Sequence, residues 1–190
     1  MKVSNLAIAT LMCCLSTALS SPAIAKGWGK EPTSFIGVQL GAPYTANFSR
    51  CDIYNPRLDT PCIYSASNDV YQIWNALSFD FGYTLTMGMY DNAVRSFLLT
   101  TKQQNYESLR KILVERYGPP TNSSQQTVQS VGGGKFRSEA ASWRGKAVTI
   151  ELTERAGQVD ESAMMIYHNR TQATYSKGKA DKASKAASQM

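Results

Sequence analysis

Cys51 and Cys62 bracket the stretch CDIYNPRLDTPC, with ten residues between them. Two cysteines at this distance can close a disulfide, supply two ligands to a metal, or include one reactive thiolate. Zinc needs about four ligands, usually Cys or His. The chain has one histidine, His168, more than a hundred residues further on, and no CxxC pair. A catalytic thiol would want a nearby histidine and would leave the second cysteine without a role. The other reactive side chains are equally sparse. No serine stands in a GxSxG context. Glu151 and Glu154 fall on opposite faces of a strand, so they cannot work as a carboxylate pair. GGGKF has Phe136 where a phosphate loop needs Ser or Thr, and no helix is expected to follow it. Asp52, Asp59 and Asp69 lack the alternate-residue spacing of a calcium loop, and Arg57 is expected to pair with Asp52 or Asp59. No catalytic residue, metal site or cofactor is expected from these patterns.

The N-terminus decides among the cysteine readings. MKVSNLAIATLMCCLSTALSSPAIAK carries Lys2 as its only charge before a long apolar stretch, then Ser20, Ser21 and Pro22, then Ala23-Ile24-Ala25. This is the pattern of a secretory leader with small residues at −3 and −1 of the cleavage site. The apolar stretch is too short for a convincing membrane span. Residues 1–25 are therefore expected to be a cleaved signal peptide, and the mature chain to be periplasmic or, alternatively, secreted. Cys13 and Cys14 leave with the leader, so Cys51 and Cys62 remain as an even pair in an oxidising compartment. A disulfide between them would stabilise the fold by about 3 kcal/mol in the chain-entropy model.

The whole chain of 190 residues has a formal net charge of +6. Without the leader the net is +5, and the last fifteen residues, SKGKADKASKAASQM, contribute +3 of it. The folded part is thus nearly balanced, which argues against a nucleic-acid-binding face. Lys177, Lys179, Lys182 and Lys185 of the tail are candidate contacts to an anionic envelope surface.

The elements that must position any site are mostly strands. After a flexible lead-in over 26–34, FIGVQLGAP (35–43) reads as a short strand stopped by Gly41 and Pro43. YTLTMGM (83–89) alternates cleanly, and Asp91-Asn92 turns into AVRSFLLTT, giving a hairpin over 83–101. NYESLRKILVERYG is the one clear helix: Asn105 is its N-cap, and Tyr106, Leu109, Ile112, Leu113 and Tyr117 form its apolar stripe. Gly118 and Pro119-Pro120 stop it. The polar, glycine-rich run 121–135 reads as a mobile loop. KFRSEAASW, AVTIELTE and ESAMMIYHN form a three-stranded antiparallel meander over 135–169. The expected fold is α+β: a hairpin plus this meander in an antiparallel sheet packed on one main helix, as a single domain over 35–175. Beyond Tyr175 the tail (176–190) is expected to be disordered. Tyr44, Phe48, Tyr54, Tyr64, Tyr71 and Trp74 cluster near the cysteine loop, either as core or as an exposed patch. Tyr44, Phe48, Tyr54, Arg57 and Tyr64 are the candidate partner surface.

The succession of helix, RYGPPT, glycine-rich run, Trp-bearing strand and hairpin over roughly residues 104–168 is similar to the small outer-membrane assembly lipoproteins of the SmpA type. FIGVQLGAP looks like a shortened copy of the same Gly-x-Pro signal. The resemblance implies a small α+β envelope protein that works by protein contact, and it carries over no functional residue. The expected function is accordingly that of a non-enzymatic, exported protein of a Gram-negative-type envelope. It would bind another envelope or secreted protein in an accessory, inhibitory or immunity-like role. Attachment through the basic tail is the alternative, and a small hydrolase built on His168 is a third possibility.

Overall fold

The computed structural model describes residues 28–45, 48–52 and 60–189, so the expected leader over 1–25 lies outside the described residues. Its main feature is one nine-stranded sheet in the order β3-β4-β5-β6-β7-β11-β10-β9-β8. These strands are β3 (Ser49–Arg50), β4 (Cys62–Ser67), β5 (Val70–Trp74), β6 (Tyr83–Tyr90), β7 (Ala93–Lys102), β8 (Asn122–Gln129), β9 (Lys135–Arg144), β10 (Val148–Thr153) and β11 (Glu161–His168). A separate ribbon, β1 (Ser34–Phe35) and β2 (Val38–Gln39), and two helices, α1 (Tyr106–Tyr117) and α2 (Asn169–Ala187), complete the described elements. Every strand pair is antiparallel except β3–β4, which makes the sheet mixed.

The sheet order follows from α1. After β7 a 3-10 turn over Gln103–Asn105 leads into α1, whose twelve residues span about 18 Å. Four strand spacings amount to about 19 Å. The helix therefore carries the chain across the sheet to the far edge, where β8 begins. β9, β10 and β11 then fill the gap, and β11 closes it by pairing with β7 from Glu161↔Lys102 to Tyr167↔Ser96. Tyr106, Leu109, Leu113 and Tyr117 of α1 are buried in the cluster that includes Leu85, Met87, Phe97, Leu99, Trp143, Ile150, Leu152, Met164 and Ile166. Those sheet residues share one face, since Leu85↔Leu99, Met87↔Phe97, Ile166↔Phe97 and Ile150↔Trp143 are direct partners. The opposite face carries Thr84, Thr86, Leu98, Thr100 and Met165, and Leu98 is exposed.

The hairpin over 83–101 and the meander over 135–169 both form, but as parts of one larger sheet. The expected antiparallel sheet of hairpin plus meander is therefore too small. β4 escapes a pattern reading, and β5 lies in VYQIWNAL, which reads as β-rich from Val70 but with aromatic and β-branched residues on both faces. β8 escapes it because NSSQQTVQ has no apolar alternation: seven of its eight residues are exposed. The run expected as a mobile loop is thus a strand and a tight turn, with Gly133 at φ 84° and the Ser130 amide donating to the Gly134 carbonyl. FIGVQLGAP is a hairpin rather than one strand, because Ile36 (φ 47°) and Gly37 (φ 79°) reverse the chain. Asp91 and Asn92, also left-handed, make the expected turn between β6 and β7. Asn105 precedes α1 as expected, yet its amide nitrogen donates to Thr101 Oγ1 (2.8 Å) instead of capping the helix.

The tail is helical where composition predicts disorder. Alanine and lysine are good helix formers, and His168 Nδ1 accepts the Thr171 amide at the N-cap. Its first half is held to the sheet. Arg95 Nη1 donates to Gln172 Oε1 (2.7 Å) and its guanidinium lies 4.1 Å from the Tyr175 ring centre, while Tyr175 meets Tyr90 edge-on at 5.4 Å. Burial, partly offset by Tyr175, lowers the Arg95 pKa.

The lead-in is likewise fixed from Trp28 onward, in contrast to the flexible segment expected over 26–34. Trp28 Nε1 donates to the Tyr117 carbonyl (2.8 Å). Glu31 accepts from the amides of Lys146, Ala147 and Val148 at 2.9, 2.5 and 2.7 Å. Its carboxyl group fills the space that a Cβ on Gly145 would take. Burial would raise the Glu31 pKa, but the amides of Val148, Ala147 and Lys146, helped by the Lys146 charge, outweigh it and hold it below the ordinary value. Glu31→Ala is expected to cost about 1–2 kcal/mol at neutral pH in urea unfolding, given the partial exposure. A depressed folded pKa means this contribution is complete above the unfolded value of about 4.3. It is lost as pH falls through the folded value, so the two proteins should converge in acid. A gap that stayed constant into acid would refute the carboxylate's role.

Candidate functional site

Cys51 and Cys62 are disulfide-bonded, with 4.9 Å between their Cα atoms. The bond fastens the end of β3 to the start of β4, beside the Ser49↔Cys62 pairing and the Cys51 amide bond to the Ile63 carbonyl. The aromatics near it divide between two environments. Tyr44, Phe48 and Tyr71 pack partly buried against the core. Tyr64 stacks on Trp74 at 5.6 Å on the opposite face of the sheet. Tyr54 and Arg57 lie outside the described residues. Of the described members of the expected partner surface, Tyr64 faces the open side, while Tyr44 and Phe48 lean on the core.

From Trp74 an uncovered groove runs along the strand ends. Its first part, about 340 Å³, is lined by Gln72, Trp74, Asn75, Leu77, Phe81 and Thr84. The second, about 620 Å³, shares Phe81 to Thr84 and continues over Thr100 and Lys102 to Asp160 and Glu161, with Asp80 on its rim. The segment joining β5 to β6 forms one wall and is built by aromatic packing. Tyr83 Oη accepts the Leu77 amide (2.8 Å) and donates to the Leu77 carbonyl (2.9 Å). Phe79 packs on Phe81 at 4.8 Å and on Tyr83 at 5.4 Å. Thr101 Oγ1 donates to the Gly82 carbonyl (2.6 Å), and the Gln103 amide donates to the Asp160 carbonyl (2.7 Å). These bonds fix the groove walls to β7 and to the turn before β11.

The groove combines an apolar, aromatic end with an acidic end. Asp80, Asp160 and Glu161 face only Lys102 among the charged lining residues, on a chain whose formal net charge is +6. Among the described residues none of these three carboxylates makes an ion pair; the two ion pairs are Arg110–Glu139 and Arg155–Glu154. Sequence reading missed this site because its lining comes from four separated segments that only the sheet brings together. The surplus of aromatics around residues 71–83 was the available signal.

The remaining candidate residues lie elsewhere. His168 sits at the other end of β11, where its Nδ1 is 2.8 Å from Thr171 Oγ1 and its ring covers Gly41. Glu151 accepts the Tyr167 hydroxyl (3.2 Å), and burial followed by that carboxylate raises the Tyr167 pKa. Glu154 accepts from Gln103 Nε2 (2.7 Å) and the Glu139 amide (2.9 Å), so the two carboxylates diverge. Tyr106, deeply buried beside Glu139 and Arg110, has its pKa raised chiefly by burial. Among the described residues no three acidic, His or Cys side chains are grouped to hold a metal. No described helix is long and apolar enough to cross a membrane. Lys177, Lys179, Lys182 and Lys185 are exposed on α2, but at about 100° per residue they spread over roughly half its circumference. No family model, curated protein or solved structure matches the chain.

Proposed function

We propose that this chain is an exported cell-envelope protein that acts without turnover, by holding an extended segment of another protein in the groove. The observation that carries the reading is the joining of the Trp74–Phe81 wall to the Asp80, Asp160 and Glu161 end. The groove crosses β5, β6, β7 and β11, about 14 Å at ordinary strand spacing, which matches about four extended residues. Such a segment would place an aromatic or aliphatic side chain on Trp74 and a lysine or arginine near Asp160. Aromatic anchors in preformed sites dominate the energetics of this kind of contact. The secretory leader pattern and the disulfide support an oxidising compartment. The similarity to SmpA-type proteins supports an accessory role.

Selection of a displayed random peptide library on the immobilised protein tests the reading. Enriched peptides are expected to carry basic and aromatic residues together. Trp74→Ala should weaken a selected peptide about tenfold or more, and Asp160→Asn with Glu161→Gln should weaken it in a salt-dependent way. No enrichment, or enriched peptides indifferent to these changes, would overturn it.

A further inference from the structure

We propose that β8 is a self-association edge, through which two copies of the chain join their sheets across a two-fold axis. The two edges of the sheet are treated very differently. β3 is two residues long, carries Arg50, and passes directly into disulfide-bonded Cys51. Shortness, charge and tethering are devices that stop an edge from pairing with other chains. β8 has none of them. It runs eight residues, Asn122–Gln129, without proline or charge. Its register with β9 is continuous from Asn122↔Ser142 to Gln129↔Lys135, with no bulge to twist the edge away. Half of its backbone amides and carbonyls point away from β9 and present an open ladder.

A second observation is the lack of support beneath the strand. Seven of the eight β8 residues are exposed, as are Lys135, Phe136 and Arg137 on the paired part of β9. The distal β8–β9 ribbon therefore has no core on either face, and a two-stranded ribbon alone is marginal in water. An added strand would supply the missing ladder.

The occupant follows from the charge pattern. In antiparallel pairing about a dyad, a strand meets its own residues in reverse order, so any charge near the centre would face a like charge. NSSQQTVQ has no charge to repel its copy. Centred on Gln125, whose amide and carbonyl face the open edge, the pairing sets Gln125 against its own copy, Ser124 against Gln126 and Ser123 against Thr127, groups that hydrogen-bond to one another across strands. A foreign strand would find no charged feature here to recognise. The dyad is perpendicular to the sheet, so both grooves open on the same side of an eighteen-stranded sheet.

Light scattering and sedimentation equilibrium of the purified protein in non-reducing buffer test this. A concentration-dependent dimer is expected, together with slower amide exchange over 122–129 as concentration rises. The double variant Gln125→Lys/Gln126→Lys, at exposed positions, should raise the dimer Kd about tenfold or more, as should Gln125→Glu/Gln126→Glu. Mixing the two variants should restore association as a heterodimer. A protein that stays monomeric, a dimer indifferent to the lysine pair, or a mixture that fails to recover would each overturn the proposal. Trp74→Ala should leave the dimer intact, so this outcome is independent of the groove reading.

Discussion

Trp143→Ala is expected to lower stability by about 3–5 kcal/mol, a large part of the 5–15 kcal/mol typical of a domain. Trp143 is fully buried, and it stands directly opposite Ile150 at the centre of the meander. Its indole nitrogen donates to the Gly118 carbonyl (2.7 Å), the residue that ends α1 at φ 81°. The side chain therefore fills core volume and also ties the helix terminus to the sheet. Alanine would leave a cavity and strand a partly buried carbonyl. Urea unfolding followed by circular dichroism should show the midpoint falling with little change in slope. Trp143→Phe retains most of the volume and loses the bond, so its cost should be smaller, about 1–2 kcal/mol. Comparable losses for the two variants would mean that the bond, rather than the volume, dominates. A loss below about 1 kcal/mol for alanine would contradict the packing described.

Gly41→Ala should have the second large effect, about 2–4 kcal/mol. Gly41 has φ 76°, which penalises any side chain. A Cβ there would lie 2.5 Å from His168 Nδ1 and 2.6 Å from its Cγ. The backbone has little freedom to retreat, because the Gly41 amide donates to the Val94 carbonyl (2.7 Å) and the Val94 amide to the Ala42 carbonyl (2.8 Å). The collision couples two segments more than a hundred residues apart and displaces the residue that caps α2. A double-mutant cycle isolates it. His168→Ala alone should cost some helicity in α2, whereas in the Gly41→Ala background it should return part of the lost stability. Additive effects would show that the ring and the glycine do not touch. The strain from φ remains in the double variant, so recovery should be incomplete.

Elements with one buried face were legible. YTLTMGM and AVTIELTE alternate because one side meets the core, and the stripe Tyr106, Leu109, Leu113 and Tyr117 repeats because α1 lies on that same core. β8 was illegible for the opposite reason: with no buried face, it has no pattern to impose on its sequence, and backbone pairing alone makes it a strand. β4 and β5 place Ile63 and Ile73 inward but Tyr64 and Trp74 outward, so hydrophobicity does not separate their faces. The lead-in looked featureless because its two anchors, Trp28 and Glu31, bind backbone groups nearly ninety or more residues away. Arg95 is the clearest miss for the C-terminal helix: the register shift between β6 and β7 places it over Gly88, where it receives α2.

For the candidate site, residue type and position in sequence were a partial guide. The pairing of Cys51 with Cys62 was expected from cysteine arithmetic and the leader pattern, and the two cysteines are bonded. Whether the nearby aromatics serve core or surface could not be read locally. A strand shows alternate faces, and only the tertiary structure decides which face α1 covers. That choice sends Tyr44, Phe48 and Tyr71 toward the core and leaves Tyr64 and Trp74 outside. The acidic end of the groove depends still more on distant pairing, because Asp160 and Glu161 reach the β6–β7 hairpin only through the β11–β7 ladder. Local patterns carry information about burial and turn chemistry, which act over a few residues. The meeting of Trp74, Thr84, Thr100 and Glu161 in one groove is set by strand order, which α1 fixes by its length.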